Sequence, residues 1–406
     1  MTSTERHEAR YQRRKAAREK KRRERLDLYD DFDRVANPAA LMCAHFDARR
    51  GVLWKYSPAR YNKDYMKCSA GSSERLYAGK KVCQGFYSFS IVERGKPRSI
   101  HSVHYTERVI RRSACVNALV PIFSHNLIYD NGASLKGKGI TFAASRCETH
   151  LHEYFREYGD NEGYIILVDF TKFFDNIRYD CLFQQIDRLV FDKRLNSLCR
   201  QFVLAGDMDK PEERKGLGLY IGPEDSQIFA VSYPNPVDHF VKDGLRIKYY
   251  ARYMDDAYII CRDKDEARRI LGLLFEQYQR LGIIPNKKKT QIVKLSRGFT
   301  FLKTRYFLER SGRVVKKPCR ESVVRQRRKL KKFRRFMDKG EMTIGQVCQS
   351  YMSWRGFIAR KRAGRTIRSM DNLFYSMFHV KPWKTKVRFT GGTYYEQQER
   401  YHPGRN

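Results

Sequence analysis

Asp255 and Asp256 stand side by side in Tyr253-Met254-Asp255-Asp256, between Leu245-Arg246-Ile247-Lys248-Tyr249-Tyr250-Ala251-Arg252 and Ala257-Tyr258-Ile259-Ile260. Both flanking runs read as strands, which puts the acidic pair at the tip of a hairpin. Asp is also an ordinary turn residue, so a solvated acidic turn is the plain alternative. A third acid, Asp169, follows Gly163-Tyr164-Ile165-Ile166-Leu167-Val168 and is expected at the exit of a buried strand. Carboxylates at the ends of adjacent strands supply the hard oxygen ligands that suit Mg2+. A pair of such ions, about 3.5–4 Å apart, activates a hydroxyl and stabilises departing pyrophosphate in nucleotidyl transfer.

The elements that must position these acids sit in a chain of 406 residues with a formal net charge of +37. That length predicts two or three domains or subdomains with ample core. The charge points to a polyanion, since Lys and Arg neutralise phosphate in nucleic-acid binding. Ten cysteines occur singly with no Cys-x-x-Cys pair, which argues against a zinc module or disulfide framework and for a reducing cytoplasm. No apolar run approaches the roughly 20 residues of a membrane span, and no signal-peptide pattern opens the chain. From Glu5 to about Arg25, Arg10, Arg14, Arg18 and Arg22 recur at every fourth position, a basic stripe if helical. A disordered, solvated arm is the alternative.

Phe86–Ile91 and Arg98–Val103 read as strands about a turn, and Thr106 to Phe123 has helical spacing. The loop Gly132–Gly139 carries Lys136 and Lys138 as candidate nucleic-acid contacts. Helices are expected over about 142–158 and 180–204, from near Asp225, and over 265–280. Gly216-Leu217-Gly218-Leu219-Tyr220-Ile221-Gly222 reads as a flexible loop. From about Gly312 the chain reads as helical and intensely basic. There Arg327, Arg328, Lys331, Lys332 and Arg335 are expected to track phosphates while Val324, Leu330, Phe333 and Phe336 pack inward.

The order strand-Asp169-Phe170-x-x-x-Phe174-Asp175, glycine-rich loop, Tyr253-Met254-Asp255-Asp256 resembles the reverse transcriptase family, and specifically its bacterial branch. Leu281-Gly282-Ile283-Ile284-Pro285-Asn286-Lys287-Lys288-Lys289-Thr290 resembles its fourth palm motif, and Gly298-Phe299-Thr300-Phe301-Leu302 its primer-gripping hairpin. Lys96-Pro97-Arg98-Ser99-Ile100 resembles the triphosphate-contacting strand. The matching motifs run from about Lys96 to Trp354. The resemblance implies an α+β right-hand polymerase with a basic N-terminal extension (1–60), fingers (61–160), palm (161–310), helical thumb (311–380) and tail (381–406). It implies that Asp169, Asp255 and Asp256 are catalytic and bind two Mg2+ ions, with Mn2+ as an alternative, and that the Phe170 carbonyl completes one metal site. Arg98 and Lys96 are then expected at the triphosphate, Gly222 and Gln227 at the nucleotide, and Lys288 or Lys289 at departing pyrophosphate. Phe174, five residues after Asp169, stands where the family places a gate against the ribose 2′-hydroxyl, so dNTPs are the expected substrate.

Leu219-Tyr220-Ile221-Gly222 departs from the family's usual Leu-Pro-Gln-Gly, Lys303 replaces a common Gly in the primer grip, and Leu135 stands where many relatives have Arg. Asn117-Ala118-Leu119-Val120-Pro121 and Val314-Val315-Lys316 do not match retron signatures, and little chain follows Trp354 for an intron endonuclease. What remains is a stand-alone enzyme of the defence-associated, abortive-infection-like type, or a diversity-generating retroelement enzyme. The expected partners are an RNA template (a dedicated non-coding RNA), the cDNA product in an RNA–DNA duplex, and dNTPs, with no membrane. A reading from another class is a maturase-like protein that binds RNA without polymerising.

Overall fold

The computed structural model describes residues 3–93, 95–383, 387–390 and 393–396. Helices α1 (Ser3–Asp27), α2 (Asp33–Ala36), α3 (Pro38–Ala48), α4 (Tyr56–Lys63) and α5 (Tyr65–Tyr77) precede the hairpin of β1 (Phe86–Glu93) and β2 (Lys96–Val103). Then follow α6 (Tyr105–Ala114), α7 (Val120–His125), α8 (Ile140–Tyr158) and β3 (Tyr164–Val168). The middle of the chain forms α9 (Tyr179–Leu189), α10 (Lys193–Leu204), α11 (Glu224–Ser232), α12 (Asn235–His239), β4 (Tyr250–Tyr253), β5 (Asp256–Cys261) and α13 (Lys264–Arg280). Strands β6 (Gln291–Lys294), β7 (Phe299–Phe301), β8 (Thr304–Leu308) and β9 (Val314–Pro318) lead to α14 (Arg320–Asp338), α15 (Ile344–Ala359) and α16 (Gly364–Phe378). A last hairpin pairs β10 (Val387–Thr390) with β11 (Thr393–Glu396).

The chain divides into two compact units. The first takes the residues up to 146, 166–260 and 265–291; the second takes 147–165, 261–264 and the chain from 292. In the first, β5 lies between β4 and β3. Ile166, Leu167 and Val168 are buried, as a continuous apolar run in a strand covered on both faces must be. On α9, Leu182, Gln185, Ile186 and Leu189 form one buried stripe at helical spacing. Between α6 and α7 the backbone widens into a π turn at Cys115–Leu119, just ahead of Pro121, which has no N–H to continue the α ladder. Two buried cations tie this unit together. Arg111 bonds Glu107 and Asp225 at 2.8 and 2.7 Å. Arg252 pairs with Asp238 at 2.6 Å and donates to the Val231 carbonyl.

In the second unit, β7, β8 and β9 form an antiparallel sheet in that order. Helices α14–α16 close over Leu330, Phe333, Val347, Cys348, Tyr351, Met370, Phe374 and Phe378. Asp371 accepts from Tyr351 Oη at 2.6 Å and from Arg355, fastening α15 to α16. All ten cysteines are free thiols, and Cys43 is the exposed one among them. Among the described residues no helix is long and apolar enough to cross a membrane.

Two stretches differ from expectation. Leu245–Tyr249 are not strand; β4 begins only at Tyr250. A π turn at Phe240–Gly244 ends just before them, and Leu245 N donates back to Phe240 O and Ile247 N to Val241 O, with Arg246 at φ 55°. Val314–Pro318 are strand rather than the start of a helix. Adjacent β-branched valines pair there with β8, and α14 starts after Pro318.

Candidate active site

Asp169 leaves β3, and its backbone oxygen accepts from Asn286 N at 2.7 Å. Thr171 N donates to Ile284 O at 2.8 Å, and Phe170 forms a bridge with Pro285. The Phe170 ring is buried, edge-on to Tyr278 at 4.9 Å. Segment 169–171 is thereby stitched to 284–286, which sets where the following lysines fall. Lys289 Nζ lies 2.6 and 2.8 Å from the two Asp169 carboxylate oxygens. Lys288 is exposed, and its backbone N–H donates to Asn286 Oδ1.

Asp255 and Asp256 sit at the β4–β5 turn, closed by the Tyr253–Asp256 pair. Met254 takes φ 54°, a conformation that hairpin turns usually give to Gly. The buried Arg252 holds this turn from beneath, with Nη1 donating to Met254 O at 3.1 Å. Burial pushes the Asp255 carboxyl above its ordinary range, reinforced by the charge of Asp169 and opposed by Lys289 and Arg98. Asp256 is pushed up to about 7, by burial first and then by the charges of Asp255 and Asp169. Burial lowers Lys289, but the Asp169 carboxylate outweighs it and the ammonium is held above its usual range.

The three acids thus share one electrostatic site with one lysine on it. Among the described residues, no group of three or more His, Cys, Asp or Glu is arranged to hold a metal ion as it stands, and both oxygens of Asp169 are engaged by Lys289. The donor set nevertheless fits a divalent cation. All three side chains are hard oxygen donors, two are raised by burial and by the neighbouring carboxylates, and an ammonium already stands in as counter-ion on the third.

The glycine-rich loop is fastened beside this centre. Phe174, half-buried in a 3-10 turn, accepts from Leu219 N at 2.9 Å through its carbonyl, and Gly218 N donates to Ile177 O at 2.8 Å. Gly218 takes φ 81° with the Asp175 carbonyl 3.0 Å from where a Cβ would be. Lys210 Nζ gathers the Tyr179 hydroxyl at 2.9 Å, the Gly218 carbonyl at 2.7 Å, and Asp207. At its far end the loop closes onto β2. His101 N donates to Ile221 O at 2.9 Å, and a Cβ on Gly222 would fall 2.2 Å from His101 O. Tyr220 stacks on the His101 ring at 3.7 Å and 8°, with Phe86 edge-on at 4.8 Å. Lys210 and this aromatic group carry no motif signature; the unusual Tyr220 was their one visible trace.

Arg98 is paired with Glu93 across the β1–β2 hairpin at 2.9 Å, and its charge reaches Asp255. Lys96 opens β2, but its side chain lies outside the described residues. Gln227 lies on α11, half-buried. Lys136 is exposed, whereas Lys138 is spent on the carbonyls of Tyr129 and Asn131 at 2.7 and 3.0 Å. In the second unit, Arg327, Arg328, Lys331, Lys332 and Arg335 are all exposed on α14, while Leu330 and Phe333 are buried and Val324 and Phe336 half-buried.

Over residues 95–319 the chain matches the family model for reverse transcriptase (RNA-dependent DNA polymerase). That is more than half of its length, and the protein belongs to the reverse transcriptase family. Its α+β architecture is accordingly of the right-hand polymerase class. No curated protein matches it. Among solved structures it is similar to telomerase from Candida albicans in complex with a TWJ fragment of telomeric RNA, at 12% identity over 72% of this chain and 56% of that one, TM-score 0.45. It is also similar to apo telomerase from Candida tropicalis, at 14% identity over 58% of this chain and 48% of that one, TM-score 0.45. The chain spans about half the length of these relatives.

Proposed function

We propose that the protein is an RNA-directed DNA polymerase that extends a primer with dNTPs on an RNA template. The observation that carries this reading is the meeting of Asp169, Asp255 and Asp256 with Lys289 at the ends of β3 and the β4–β5 hairpin. Asp169 and Asp255 would hold two Mg2+ ions with the Phe170 carbonyl, and Asp256 would support them; Mn2+ is the alternative. When bound, the ions lower the pKa of the primer hydroxyl and offset charge on the pyrophosphate. Lys289, which now pairs with Asp169, would serve as a proton donor to departing pyrophosphate. Arg98 and Lys96 meet the triphosphate, with Gly222 and Gln227 beside the nucleotide. The half-buried Phe174 ring crowds out a ribose 2′-hydroxyl.

In this reading residues 61–160 are fingers, 161–310 palm and 311–380 thumb, with 1–60 a basic extension and 381–406 a tail. The exposed cations of α14 contact nucleic-acid phosphates, and Lys136 is a separate candidate phosphate contact. The finer assignment is a bacterial enzyme of the antiphage-defence type, working in the cytoplasm on a dedicated non-coding RNA. Its support is the net charge of +37, more than a transient template requires, together with the missing retron signatures. Primer extension with purified protein, Mg2+, dNTPs and copurified RNA tests the chemistry. Wild type makes DNA and Asp255→Ala/Asp256→Ala does not; equal product from both sinks the assignment. Phe174→Ala admits NTPs, and unchanged sugar selectivity removes the gate. Sequencing the bound RNA tests the dedicated template.

A further inference from the structure

The first helix closes over a cavity that none of the carboxylate-site residues lines. Its volume is about 590 Å³, within the usual range for small-ligand sites. Its wall offers three kinds of chemistry. The first is a flat, charged stack: the Arg23 guanidinium carbon sits 3.2 Å from the Phe191 ring centroid, oriented by the Arg23–Asp27 pair at 2.9 Å. The second is uncommitted positive charge. Lys20 on α1 and Arg188 on α9 line the same cavity, and neither has an ion-pair partner among the described residues; Glu19 supplies one opposing charge. The third is an unmet acceptor. Asn235 is 3% exposed and spends Nδ2 on the Asn126 carbonyl at 3.1 Å, while its Oδ1 has no partner.

A purely structural role accounts poorly for this combination. A buried acceptor left unmet costs about 1–3 kcal/mol, and unpaired cations around a hollow repel one another. A phosphorylated nucleotide answers all three. Its phosphate meets Lys20 and Arg188, its base lies against the Arg23–Phe191 stack, and an amino or imino N–H of the base reaches toward Asn235. Arg and aromatic planes stack on any base, while amide acceptors read base donors. We propose that this cavity is a second nucleotide site, taking either a free nucleotide or one unpaired nucleotide of a bound RNA. The proposal does not depend on polymerase activity.

The test uses full-length protein and two photoprobes, 8-azido-ATP and a single-stranded RNA carrying 4-thiouridine, with adducts mapped by mass spectrometry. The expected adducts lie on the peptides bearing Lys20–Leu26 or Arg188–Phe191. Labelling by the nucleotide alone assigns a free ligand, and labelling by the RNA alone assigns a flipped residue of a polynucleotide. The double variant Arg188→Ala/Phe191→Ala, both exposed positions, should lower that labelling at least tenfold with an unchanged melting temperature. Absence of adducts from both peptides with both probes, or undiminished labelling of the double variant, overturns the site. Asp255→Ala/Asp256→Ala separates the two readings: it abolishes DNA synthesis while leaving the cavity adduct in place.

Discussion

Asp256 carries the clearest pH signature. Its carboxyl is pushed from an ordinary 3.8 to about 7, so the fold favours the neutral acid. Such a group contributes stability that is full below pH 4 and lost as pH rises through about 7. In the absence of divalent cation, the stability of Asp256→Asn relative to wild type, read from thermal melts, should therefore rise between pH 5 and 8 by roughly 1–3 kcal/mol. Adding Mg2+ at pH 8 should raise the wild-type melt and narrow the difference. A wild-type-to-variant gap independent of both pH and Mg2+ would mean that the carboxyl is not strained. The positions of the three acids are legible in the sequence because Asp169 follows an apolar run and Asp255-Asp256 interrupt two strand-like runs. The choice of Lys289 over its two neighbours is not, since it depends on the turn in which Lys289 N and Thr290 N both bond to Asn286 O.

At the scale of elements, two hairpins use backbone that their sequences do not advertise. The β7–β8 turn places Leu302 and Lys303 at φ 45° and 58° with no glycine. Positive φ costs a residue with a Cβ about 1 kcal/mol, and Gly is the usual occupant of such turns. Lys303→Gly should stabilise the protein by about 0.5–1 kcal/mol in a denaturant melt; a loss of stability would assign the lysine a tertiary role of its own. The β4–β5 turn bears its positive φ at Met254 on the buried Arg252–Asp238 pair. Ala251-Arg252 and Ala257-Tyr258-Ile259-Ile260 mark this hairpin in the sequence, but the same apolar spacing extends the first strand back through Leu245–Tyr249. Apolar spacing alone does not reveal a π turn that takes the backbone N–H of Leu245 and Ile247. At Val314–Val315 the error ran the other way, because the dense cations beyond masked two β-branched residues.

For the whole molecule, the second unit gathers its residues from three separate stretches of chain. Within it, Asn161 Nδ2 donates to Leu308 O, Lys316 pairs with Glu148, and the Phe155 ring lies under Gly312. A fragment starting at 292 lacks all three supports. The helical core of α14–α16, in contrast, lies wholly within 330–378. Residues 319–380 expressed alone should give a cooperative helical melt by circular dichroism, whereas 292–406 should not order its β7–β9 sheet. A fully ordered sheet in the longer fragment would show that residues 147–165 are dispensable for it. The thiol inventory has a practical consequence. With Cys43 on α3 exposed and most of the other cysteines buried, a maleimide dye should react there first. The unaltered polypeptide then offers a fluorescent handle for watching single molecules engage nucleic acid, with no engineered cysteine.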